Sequence, residues 1–164
     1  MLSKKVQDAF NEQIKYEMES SYLYLAMAAY FHGETLDGMG QWMRVQAKEE
    51  MGHAMKFFDY IIEKGGKAEL AALAKPKGKW ASALGVFEET LKHEQFVTSR
   101  ILGLAKLADK EGDYASANLL QWFVNEQVEE EATAVKIVET LKRVGDSGAG
   151  LIMLDRELGK RGAS

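Results

Sequence analysis

The chain contains no cysteine. Disulfides, thiolate zinc sites, iron–sulfur clusters and cysteine-ligated single irons are therefore excluded. Proline occurs once, at Pro76, and runs of β-branched residues are scarce, so little in the chain opposes helix. No apolar run approaches the roughly 20 residues that span a bilayer as a helix, and no membrane partner is expected. Nor does one sign of charge dominate. The 21 Lys and Arg against 25 Asp and Glu leave a net −4, which gives no reason to expect a nucleic-acid partner. The opening residues, MLSKKVQDAFNEQ, read as an amphipathic helix start rather than a signal peptide, so a cytoplasmic location is expected. What the chain does have is length and apolar content: 164 residues, 46% hydrophobic, read as a single domain over 1–164 with its own core.

Breakers cluster in HGETLDG, GGKAELAALAKPKGKW, EGDY and GDSGAG. Between them the pattern predicts helices over about 4–31, 38–64, 82–110, 114–144 and, shorter, 151–160. Each of the four long segments carries an apolar stripe of period 3.6, the pattern of a four-helix bundle. Short links make the first two helices, and the last two long ones, antiparallel pairs. The link between the second and third is long enough, at about 17 residues, to run the length of the bundle. The fold class expected is all-α: a four-helix bundle with one long crossover and a short fifth helix.

Every stripe is interrupted near its middle by a polar residue, and the interruptions are in register. Glu17 and Glu50 are 33 residues apart, as are Glu94 and Gln127; His53 and Glu130 lie 36 residues beyond Glu17 and Glu94. Folding each pair at its turn brings all six to one level. Burying ionised carboxylates costs several kcal/mol each unless they are paired, and the inward faces supply no Lys or Arg. Protons can neutralise one or two; a shared cation neutralises all. One imidazole among several carboxylates suits iron or manganese better than copper, and redox chemistry with dioxygen favours iron.

The segments NEQIKYEMESSYLYLAM, QAKEEMGHAMKFFDYI, LKHEQFVTSRI, LQWFVNEQVEEE and LDRELGKR, in that order, resemble those of non-haem prokaryotic ferritins. The resemblance implies a ferritin-like fold and a ferroxidase that oxidises Fe(II) with dioxygen, or hydrogen peroxide, and stores the ferric product as mineral. It implies a homo-oligomeric cage of about 24 subunits. Residue by residue it implies Glu17, Glu50 and His53 as the first iron site. Glu50, Glu94 and Glu130 match the second, with Gln127 and Tyr24 beside them. Glu49, Glu126, Glu129 and Glu130 match a third. The helical wheel independently places Glu126 and Glu129 on the flank of Glu130, and turns Glu131 to the opposite flank as ordinary surface or subunit contact.

No haem is expected. A bacterioferritin would repeat the Glu-x-x-His motif where this chain has Gln127-x-x-Glu130, although Met51 stands where bacterioferritins place a haem-ligating methionine. Two other readings remain open: a diiron oxidase or peroxidase without mineral, and a structural bundle with a vestigial site.

Overall fold

In the computed structural model, residues 1–162 are described. They form α1 (Lys4–Gly33), α2 (Asp37–Glu63), α3 (Ala83–Lys110), α4 (Tyr114–Val144) and α5 (Gly148–Leu158), with no strand among them. Four helices begin at a side-chain cap: Ser3, Ser82, Asp113 and Ser147 accept from the backbone N–H of Val6, Gly85, Ser116 and Gly150. The fifth start, that of α2, has no local cap. Asp155 of α5 supplies one from 117 residues away, accepting from Gly38 N at 3.2 Å and Met39 N at 2.8 Å.

The α1–α2 turn closes through Thr35, at φ 60°, an uncommon and strained choice for a β-branched residue. The α3–α4 turn uses Gly112 at φ 65°, where glycine is at ease. The fifth helix starts at Gly148, three residues before the predicted start. Gly148 and Gly150 have low helix propensity and read as loop, but the Ser147 cap draws them into the first turn.

Residues 64–82 between α2 and α3 contain no helix or strand. Their path is fixed by side chains of α1. Gln7 accepts from Lys67 N, Asn11 bonds Lys67 O and Glu69 N, Glu19 accepts from Ala74 N, and Tyr30 packs edge-on against Trp80. The link therefore climbs α1 from its first turns to its last, and α3 starts at the same end as α2 and runs parallel to it. This is the expected crossover.

The apolar core has two separate bodies. One holds Phe10, Phe57, Ile61, Ile101, Leu120 and Phe123; the other holds Met27, Phe31, Met39, Met43, Phe87 and Leu141. Between them lies a layer of polar side chains, nearly all buried.

Candidate metal centre

The layer is assembled from one or two residues of each long helix. Glu17, Glu50 and Glu94 are each 1% exposed, Gln127 3% and His53 5%. Two glutamines extend it, Gln13 and Gln46, both fully buried. Each lies four residues before its glutamate, one turn away on the same face. Gln13 Nε2 donates to Glu17 Oε1 at 2.9 Å; Gln46 Nε2 donates to Glu50 Oε1 at 3.0 Å and to Glu130 Oε2 at 2.9 Å. On the other pair of helices, Gln127 Nε2 donates to Glu94 Oε2 and to Thr98 Oγ1, both at 3.1 Å. The Tyr24 hydroxyl donates to Glu94 Oε1.

These bonds leave the charge uncompensated. Among the described residues no Lys or Arg pairs with Glu17, Glu50, Glu94 or Glu130; His53 alone approaches, with Nδ1 3.0 Å from Glu50 Oε2 and 3.9 Å from Glu17 Oε2. Burial, followed by repulsion from Glu50, holds the Glu17 carboxyl well above its usual range. Burial and then Glu94 do the same to Glu50. Glu94 is raised by burial, and Glu130 is pushed up to about 7 by burial and then by Glu94. Burial also raises the Tyr24 phenol well above 10, so it stays a donor.

One atom marks the deficit. Glu17 Oε2 is buried and has no hydrogen-bond partner. Such an atom costs about 1–3 kcal/mol, and it faces inward beside His53 Nδ1. A cation there would satisfy it. The ligand atoms of Glu17, Glu50 and His53 lie within 4.8 Å of one another, as do those of Glu50, Glu94 and Glu130. Two groups sharing one carboxylate have the form of a two-metal centre with Glu50 as the bridge. Three or four hard oxygens and one imidazole suit iron.

Beside the layer, α2 and α4 part to form a cleft of about 500 Å³. Glu49, Glu126, Glu129 and Glu130 all line it, so the predicted third-site residues do share one space. Within it, the group compact enough to hold a metal is His53, Glu126 and Glu130. His53 thus faces two ways: its Nδ1 looks into the layer, and its Nε2 lies 3.8 Å from Glu126 Oε2 in the cleft.

A family model described as the ferritin-like domain matches residues 7–144. The chain belongs to the ferritin family. It is 46% identical over 161 residues to a bacterial non-heme ferritin of Bacteroides fragilis strain 638R, covering 98% of this chain and all of that one. A bacterial non-heme ferritin of Staphylococcus aureus strain MRSA252 is 40% identical, with 98% and 97% covered. An open-pore ferritin from the hyperthermophilic archaeon Archaeoglobus fulgidus superposes with a TM-score of 0.97 at 48% identity, covering 98% and 99% of the two chains. This ferritin-family bundle, like that one, keeps its short C-terminal helix.

Several residues at the centre were not identified from sequence. Gln13 and Gln46 had a signal: they stand 33 residues apart, the same interval as Glu17 and Glu50. Glu131, expected to be ordinary surface or subunit contact, is half-buried within the subunit and lies 3.0 Å from Thr98 Oγ1, at the end of a chain that runs through Gln127 to Glu94. The cleft is also less purely acidic than its sequence. Lys56 reaches in from α2, its Nζ 3.5 Å from the Trp122 ring centroid, and Arg161 arrives from beyond α5. Two aromatic side chains also border the centre: Trp122 lines the cleft, and His93 bonds Ser20 Oγ at 2.7 Å behind Tyr24.

Proposed function

We propose that this protein is a ferroxidase and iron store that binds two Fe(II) ions in the buried layer and oxidises them with dioxygen. The observation that carries this is the cluster of buried carboxylates without a basic partner, one of them ending in an unpaired oxygen. Glu17, Glu50 and His53 hold the first iron; Glu50, Glu94 and Glu130 hold the second. Each iron gives up one electron. Two electrons and two protons take dioxygen to hydrogen peroxide; four of each take it to water. Anionic oxygen ligands gain more from Fe(III) than from Fe(II), which favours the oxidised product.

The hydrogen-bond partners set the geometry. Gln13 and Gln46 orient Glu17 and Glu50 through one oxygen each; the other oxygen of Glu17 is unpaired, and that of Glu50 meets only His53 Nδ1, itself a ligand of the first site. Tyr24 and Gln127 hold the two oxygens of Glu94. Tyr24 also places an oxidisable phenol against the second site. Only the first site has an imidazole, so the second iron binds more weakly and leaves more readily, as suits a substrate in passage. Glu49, Glu126 and Glu129, with Glu130, form the acidic exit where a third iron rests. The whole chain acts as one domain, in the cytoplasm, and assembles into a homo-oligomeric shell of 24 subunits in which ferric mineral grows.

The test is aerobic addition of Fe(II) to the assembled protein, followed by size exclusion and iron analysis. Hundreds of irons eluting with a large shell support storage. A few per subunit on a small species would instead indicate a diiron oxidase, and no oxygen uptake a structural bundle.

A further inference from the structure

The cleft beside the buried layer contains a cation delivered by the C-terminal segment. Arg161 lies in the turn after α5, yet its Nη2 donates to Glu49 Oε2 at 2.9 Å, 112 residues away. Its Nη1 donates to the Trp42 carbonyl oxygen at 3.3 Å, and the guanidinium stacks 4.3 Å from the Trp42 ring centroid. The Arg161 side chain is 23% exposed and that of Glu49 is 45% exposed.

The backbone leading to it is held closely. Asp155 caps α2, and at that contact a Cβ on Gly38 would lie 1.8 Å from Asp155 O. One on Gly159 would lie 2.9 Å from Gly38 Cα. Glycine at both positions lets α5 sit directly on α2. Gly162, at φ 72°, turns beside Val45 immediately after Arg161. The arginine is therefore aimed at Glu49 by the fold, rather than trailing across it.

We propose that Arg161 is a positioning residue that governs the cleft's affinity for divalent cations: a tethered counter-cation that occupies Glu49 and keeps metal binding there weak. This rests on the reading of the cleft as a third iron site. A metal ion that uses Glu49 must displace the guanidinium or sit beside it, and either route weakens binding. The planar fork matters as well as the charge, because one nitrogen holds Glu49 while another holds the Trp42 carbonyl. The buried layer has no such competitor, since no Lys or Arg pairs with its carboxylates among the described residues. Iron is consequently held firmly where it is oxidised and loosely where it leaves. The metal-binding groups stay in place; what Arg161 sets is how readily the last of them is available.

The experiment is anaerobic titration of the assembled, metal-free shell with Zn²⁺, which is redox-inert, followed by calorimetry and equilibrium dialysis. Wild type should bind two ions per subunit tightly and a third weakly. Arg161→Gln should tighten the third step by up to about fivefold, the size expected of a half-exposed ion pair, and leave the first two unchanged. Arg161→Lys, which keeps a charge but loses the fork that ties it to Trp42, should fall between wild type and Arg161→Gln. In a Glu49→Gln background, Arg161→Gln should have no effect. A third step unchanged in Arg161→Gln overturns the proposal, as does an equal change in all three steps. Two ions and no third in wild type and every variant sinks the cleft as a metal site, and the proposal with it.

Discussion

Replacing Glu130 with glutamine should make the metal-free protein more stable above neutral pH. In an unfolded chain this carboxyl ionises near 4.5, whereas burial and the Glu94 charge raise it to about 7 in the fold. Between those values the folded protein keeps a proton that the unfolded chain has released. Stability therefore falls as pH rises from 4.5, and levels off past 7. At about 1.4 kcal/mol per pH unit, the penalty at pH 8 is about 3 kcal/mol. Glutamine removes the charge but not the contact, since its amide oxygen accepts the same bond from Gln46 Nε2. Denaturant unfolding with a chelator present, at matched subunit concentration, measures the difference. Glu130→Gln should lie within about 1 kcal/mol of wild type at pH 5 and exceed it by about 3 kcal/mol at pH 8. Added Zn²⁺ should reverse the order, because the glutamate then has its cation and the glutamine is a poorer ligand. No gain at pH 8, or the same gain at both pH values, would refute the reasoning that this carboxylate is held at a cost in the absence of metal.

The same raised carboxyls make metal binding proton-linked. Zn²⁺ titrated near pH 6.5 should release protons, so calorimetric enthalpies should differ between buffers of unlike ionisation enthalpy; identical enthalpies would mean the carboxylates were already ionised. Glu130→Ala should slow Fe(II) oxidation far more than Glu131→Ala. Glu131→Ala should still cost about fivefold, the worth of one hydrogen bond, by freeing Thr98 and with it Gln127; equal effects would contradict the assignment. An anaerobic Fe(II) titration should resolve two unequal affinities for the buried layer, the tighter at the site with Glu17 and His53, besides the weak third in the cleft; equal affinities for the layer would count against that asymmetry.

The architecture was legible because it repeats. A period of 3.6 on four segments, two short turns and one long link leave a single topology, and the 33-residue interval brings Glu17, Glu50, Glu94 and Gln127 to one level before any coordinates are known. What escaped the sequence is tertiary. Arg161 and Glu49 share no local pattern, and Asp155 caps a helix whose own start offers no cap. Glu131 does point away from Glu130, but Thr98 of α3 occupies that side, which a wheel drawn on one helix cannot reveal. His53 was assigned to one site because the resemblance carries over residues, not ring nitrogens. The early start of α5 was hidden by its glycines.

The central claim is that the buried layer is a two-iron centre. The most direct measurement is anomalous diffraction from crystals of the protein soaked anaerobically in Fe(II). Two peaks per subunit are expected, one among Glu17, Glu50 and His53 and one among Glu50, Glu94 and Glu130, with Glu50 touching both. Iron confined to the surface, or a layer that stays empty while the cleft fills, would contradict it.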